Sequence, residues 1–167
     1  MRKRSKYRPR VVLPDPVAYV VRGCRPLADQ AETKRSLLAK NHAAMDELVH
    51  GRGNGEHAAV VINALNIAEA LSHVRAEFGA DWLPEINAAL DAMFVVANRG
   101  NATGRFVFTG PELAAVNLAM EIHDQQLEVC SIIEMEKALR DVERVIASGK
   151  ARKIGRNLVV DREVTHA

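Results

Sequence analysis

Aromatic residues are scarce in this chain: one Trp, two Tyr and four Phe among 167 residues. So few rings disfavour the platforms on which single-stranded nucleic acids stack their bases. The apolar weight falls on Ala, Val, Leu and Ile, which suit helices packed through small and aliphatic side chains. Cysteine is rarer still. Cys24 and Cys130 lie far apart and form neither a CxxC pair nor a zinc-ligand spacing, so no disulfide framework is implied and a reducing cytosol fits. Long apolar runs are missing, and no stretch approaches the ~20 residues of a membrane span. The start is basic, as a signal peptide is, but Val11-Val12-Leu13 is cut by Pro14-Asp15-Pro16, and Val17 to Val21 is too short an apolar core. The expectation is a cytoplasmic protein with no membrane partner.

Signatures of chemistry are lacking as well. The six histidines are scattered, and no Ser-His-Asp or Cys-His arrangement can be assembled around a nucleophile. Gly51-Arg52-Gly53-Asn54-Gly55 is glycine-rich and precedes a helix, but it lacks both the Gly-Lys-Ser/Thr ending and the preceding strand of a phosphate loop. It reads as an interhelical loop. Asn101-Ala102-Thr103 matches a glycosylation acceptor, which carries no weight without secretion. The one arrangement suggestive of a metal is a polar constellation on two helices: Asn66, Glu69 and His73 on one, Glu121, Asp124 and Glu128 with His123 on another. Facing helices of a bundle can hold a dimetal site, but the Glu-x-x-His motif is absent and Glu121-x-x-Asp124 is its nearest approach. A solvated acidic face and an exposed Glu69/His73 helical pair are the simpler expectation. No enzyme, cofactor or metal is therefore expected, with a metal-dependent enzyme in the bundle interior as the weakest alternative.

Charge is unevenly spread. The formal net charge is +2, yet residues 1–10 carry +6, residues 11–55 +1, residues 56–110 −3, residues 111–148 −5 and residues 149–167 +3. An acidic body with basic ends divides the chain into a flexible basic arm (1–14), one domain (15–148) and a basic tail (149–167), and the length suits a single domain.

The body reads as helices. Asp15-Pro16 looks like an N-cap with a first-turn proline, and Gly23 like a left-handed stop. A helix from Asp29, with Glu32 completing a capping-box-like pair, runs to the Gly51–Gly55 loop. The next covers about Glu56 to Phe78, with Val60, Ala64, Ile67, Leu71, Val74 and Phe78 on one face and Gly79 as its stop. Another starts near Asp81, buries Trp82, Leu83, Ile86, Leu90, Met93, Phe94 and Ala97, and ends around Gly100. A β-like run Arg105-Phe106-Val107-Phe108 follows, with Asn157 to Val160 as a partner strand. Thr109-Gly110-Pro111-Glu112 is the best helix start in the chain.

From Pro111 to Ser148 there is no Gly or Pro. Asn117, Glu121, Asp124 and Glu128 share a narrow stripe at about 100° per residue. Beyond Cys130 the pattern inverts, and Met135, Leu139, Val142 and Ile146 take the angle of the acidic stripe. Supercoil drift of about 20° per heptad is too small for such a reversal. Ser131-Ile132-Ile133-Glu134 is a capping box, so a helix ending near Val129 and a new one from Ser131 is the simpler account. One straight helix gripping two bodies is the other. The expected fold is all-α: a bundle of about four main helices whose last is broken or double-sided.

Lys3-Arg4-Ser5-Lys6-Tyr7-Arg8-Pro9-Arg10, Phe106-Val107-Phe108-Thr109-Gly110-Pro111-Glu112-Leu113 and Asn117-Leu118-Ala119-Met120-Glu121-Ile122-His123-Asp124 together give the chain a likeness. It resembles small helical proteins encoded by bacteriophages and prophages. The resemblance implies a bacterial cytoplasm and a phage-related context, and it brings no functional residues.

Two functions follow as expectations. In the first, a non-enzymatic accessory protein contacts DNA or RNA through Arg2, Lys3, Arg4, Lys6, Arg8 and Arg10, with Tyr7 as a stacking surface, while its helices oligomerise or dock on a protein. In the second, the stripe Asn117, Glu121, Asp124 and Glu128 is the contact face of an interaction module, an inhibitor of a host protein, that binds a bacterial or phage protein.

Overall fold

The computed structural model describes Val21 and residues 23–149. Within them lie five α-helices: α1 (Ala31–Val49), α2 (Gly55–Val74), α3 (Leu83–Thr103), α4 (Gly110–Val129) and α5 (Ile132–Ala147). No strand occurs among the described residues. The expected basic arm, the helix start at Asp15-Pro16, the basic tail and the Asn157–Val160 strand fall outside the described residues or rest on them.

Helix α2 is the centre, touching each of the other four helices. Its sequence explains this. Val61, Ala64, Leu65, Ala68 and Leu71 are fully covered, and Ala58, Ala64 and Ala68 let neighbouring backbones approach closely. One core cluster joins the end of α1 to α2, α3 and α4 through Leu48, Leu65, Ile86, Leu90, Met93 and Val116. A second joins the far end of α2 to α4 and α5 through Leu71, Phe78, Leu127, Met135 and Ala138.

Both C-terminal capping boxes form as the sequence predicts. Thr109 and Glu112 open α4, and Ser131 and Glu134 open α5. The long C-terminal helical run is thus broken, with Cys130 extended between two helices (φ −73, ψ 147). The last helix of the expected bundle is broken rather than double-sided, which gives five α-helices among the described residues.

Other boundaries depart from expectation. Helix α1 begins at Ala31 with no side-chain cap, because Leu27–Asp29 form a 3-10 turn. That turn is pinned by the Leu27 N–H donating to the Cys130 carbonyl (2.8 Å). Gly23 is not left-handed; its missing Cβ makes room for Ile133 instead. Helix α2 stops at Val74, four residues short of Phe78. Arg75 is extended, stacks its guanidinium 4.3 Å over the Phe78 ring and reaches Glu134 at 3.3 Å. The kink turns Phe78 into the core.

Helix α3 starts at Leu83, leaving Trp82 exposed, and passes through Gly100 to end at the left-handed Gly104 (φ +74). Gly100 is a packing gap rather than a stop: a Cβ there would run into the Phe106 ring. The run 105–108 is therefore an extended connector held by its side chain in that gap. Arg99 adds a second hold, with Nη1 donating to the Val107 carbonyl (2.7 Å) and the guanidinium pairing with both Glu112 oxygens (2.6 and 3.1 Å). Gly100→Ala sets a helix-propensity gain of about 1 kcal/mol against overpacking of about 1–3 kcal/mol. Because the obstructing atoms belong to a rigid ring, the variant should be less stable than the native chain in urea unfolding.

Candidate functional site

The arm residues Arg2, Lys3, Arg4, Lys6, Tyr7, Arg8 and Arg10 lie outside the described residues. The acidic stripe lies on α4, and its four members do share one face. Asn117, Glu121 and Glu128 are exposed, while Asp124 is half-buried. The face is less solvated than the sequence suggests, because α1 runs beside it. The Lys34 ammonium pairs with Glu128, and His42 Nε2 lies 2.9 Å from Asp124 Oδ2. Burial pushes the Asp124 carboxyl above the usual carboxylate range, against the pull of His42. Glu121 makes no ion pair among the described residues.

The other flank of the stripe borders a groove of 330 Å³ lined in part by Glu77, Phe78, Trp82, Leu118, Glu121 and Val129. Its construction begins at Gly79. A left-handed backbone there (φ +96) reverses the chain between Phe78, which faces inward, and Trp82, which faces out. Trp82 is 48% exposed, Leu118 39% and Val129 57%. Three large apolar side chains left this open along one groove form a patch of the kind that marks binding surfaces. The charges on its lining are the carboxylates of Glu77 and Glu121, with no Lys, Arg or His among the lining residues. Arg75, the nearby cation, is engaged by Phe78, Glu77 and Glu134.

The floor of the groove is fixed by a buried hydrogen-bond network. Gln126 Nε2 lies within hydrogen-bonding distance of the Ala68 carbonyl (3.1 Å), Ser72 Oγ (3.0 Å) and the Phe78 carbonyl (2.6 Å). The Ser72 hydroxyl is also placed to donate to one of those two carbonyls. The Phe78 carbonyl lies beyond the end of α2, and Gln126 supplies its donor from another helix. One turn earlier on α4, His123 is wholly buried with no hydrogen bond to either ring nitrogen. Burial pushes its imidazole down to about 4, outweighing an upward pull from Gln126, and His42 adds a small further push. It is therefore a neutral core residue at ordinary pH.

The metal constellation does not assemble. Among the described residues, no group of three or more His, Cys, Asp or Glu is placed to hold a metal ion. His123 points into the core, and His42 rather than His73 meets Asp124. Cys130 is buried, with its thiol pushed up to about 11 by burial, which makes it unreactive. The sequence reading missed Trp82, Leu118, Val129 and Glu77 as site residues. Leu118 and Val129 stand beside the stripe it did identify, and a tryptophan three residues after a glycine turn was the available signal. What the groove offers chemically is an apolar floor rimmed by carboxylates. It can bind, and it holds no nucleophile.

Among the described residues no helix is long and apolar enough to cross a membrane. No protein-family model, curated protein or solved structure matches the chain.

Proposed function

We propose that this protein is an interaction module whose α4 groove takes a basic segment carrying apolar side chains. The observation that carries the reading is the pairing of half-exposed Trp82, Leu118 and Val129 with Glu77 and Glu121 and no lining cation. Aromatic and aliphatic anchors supply affinity at such surfaces, and rim charges supply selection and on-rate. The stripe contributes unequally, with Glu121 on the groove and Asp124 and Glu128 turned toward α1 partners. In the phage-related, cytoplasmic setting that the sequence resemblance implies, the bound segment belongs to a bacterial or phage protein.

Trp82 is the only tryptophan in the chain, so its emission reports on the groove directly. Titrating the protein with a short peptide of alternating Lys and Leu should shift that emission to the blue and saturate. Glu121→Lys should weaken the binding about tenfold, a coupling of roughly 1.4 kcal/mol. A labelled peptide whose anisotropy shows no binding to the chain at low salt would overturn the reading.

A second reading is favoured by the segregation of charge. Residues 1–10 hold six Lys/Arg and no acid, whereas residues 23–149 hold eleven against eighteen Asp/Glu, a net −7. Those cations suit phosphate contacts on DNA or RNA, whose affinity falls steeply with salt.

A further inference from the structure

The two readings use parts of opposite charge in one chain, the basic residues 1–10 and the groove rimmed by Glu77 and Glu121. We infer that the groove's first occupant is this chain's own N-terminal segment, residues 1–13, docked in cis across Trp82, Leu118, Val129 and Glu121. The inference rests on the groove reading above and names its partner.

Three observations carry it. The first is the tether. Pro26 forms a bridge with Ser131, the Leu27 N–H donates to the Cys130 carbonyl, and the Ile132 N–H donates to the Arg25 carbonyl. The chain therefore enters the body beside Val129, which lines one end of the groove. Leu118, at the far end, is thirteen residues along from Ser131, about 20 Å at helical rise. The chain is held as far back as Gly23, which packs on Ile133, and the twelve residues between Arg10 and Gly23 span up to about 40 Å when extended. Reach is ample and the loop to be closed is short, so the effective concentration of the segment at the groove is high.

The second is charge. Residues 1–10 carry +6, the described body carries −7, and the groove lining has two carboxylates and no cation. The third is amphipathic composition. Arg8 and Arg10 are followed at once by Val11-Val12-Leu13, so one short stretch offers both the charges for Glu77 and Glu121 and the apolar side chains for Trp82, Leu118 and Val129. A purely solubilising run would need only the former.

Docking in cis makes the groove and the cations mutually masking. A basic partner must displace the segment, and displacement frees six cations for another contact. Raising salt weakens the closed arrangement by screening.

The test compares the native full chain with a full-length variant carrying Gln at Arg2, Lys3, Arg4, Lys6, Arg8 and Arg10. A control chain carries Gln at Lys150, Arg152, Lys153, Arg156 and Arg162, which changes net charge without touching the segment. Each is followed by Trp82 emission alone and on titration with the Lys/Leu peptide. The segment variant should emit further to the red than native, and it should bind the peptide about tenfold more tightly, equivalent to roughly 1.4 kcal/mol of relieved competition. The control should match native in both respects. Glu121→Lys in the native chain should also shift emission to the red. If the segment variant and native chain bind the peptide equally, the cis docking is overturned and the groove reading stands. If neither binds, both fall. A native emission that shifts to the blue with protein concentration, together with a dimer by analytical ultracentrifugation, places the segment on a second copy and overturns docking in cis.

Discussion

Replacing Gln126 by Ala should lower the unfolding free energy by about 3–4 kcal/mol, combining a lost buried side chain with at least one unsatisfied buried acceptor. The Phe78 carbonyl accepts from Gln126 Nε2 at 2.6 Å and faces the Ser72 hydroxyl at the longer 3.3 Å. A hydroxyl has a single proton, and the nearer Ala68 carbonyl (3.0 Å) competes for it, so removing the amide leaves the Phe78 carbonyl poorly served. Gln126→Met separates the two contributions. It keeps most of the volume and loses only the hydrogen bonds, so it should cost about 1–3 kcal/mol. Urea unfolding with an unchanged m-value measures both. Against a typical total of about 5–15 kcal/mol, the Ala variant gives up a large share. If it were as stable as native, the network would be incidental to the fold.

The second large effect is on pH. His123 is neutral in the folded protein, with a pKa of about 4 against 6.5 when unfolded. The unfolded chain therefore binds the extra proton between these values, and stability must fall as pH falls. The contribution is fully present above pH 6.5, has dropped by about 2 kcal/mol at pH 5, and by about 3 kcal/mol at pH 4. Other groups act in or near this window. Asp124, raised by burial, opposes the loss, whereas Glu47 and Glu112, lowered by Arg52 and Arg99, add to it below the carboxylate range. The comparison of native with His123→Leu cancels them. The Leu variant should be as stable as native or more so at pH 7.5, since no hydrogen bond is lost. Its stability should also vary much less between pH 7 and pH 5. Parallel pH profiles for the two chains would refute the assignment of a buried neutral imidazole.

How much of this was legible in the sequence depended on range. Thr109/Glu112 and Ser131/Glu134 were readable because a capping box is complete within four residues. The phase reversal across Cys130 was readable because a helix converts sequence spacing into angle. The box that opens α2 was not, since Asn54 is answered by His57 in place of the usual Glu or Gln. Nor was the stop at Arg75, where neither Gly nor Pro appears and the cause is tertiary: the stacking on Phe78 and the pull of Glu134. Trp82 was expected inside because its spacing continues an apolar face, but the helix begins one residue later and the ring is left out. The site divides the same way. The stripe on α4 could be drawn from periodicity, whereas its partners His42 and Lys34, its apolar wall at Trp82 and the floor made by Gln126 come from other parts of the chain.

The central position of α2 has a bearing on the route by which the chain folds. Helices α1, α2 and α3 each pack on the next in sequence, so those contacts are local and quick to form. Helix α5 is different. It returns to α2 across all of α3 and α4, closing nearly sixty residues between Val74 and Ile132, and that closure carries an entropic penalty the earlier pairings do not. Its docking is a long-range step, as is the pinning of Leu27 on Cys130, and until it happens Leu71, Phe78 and Leu127 lack their α5 neighbours.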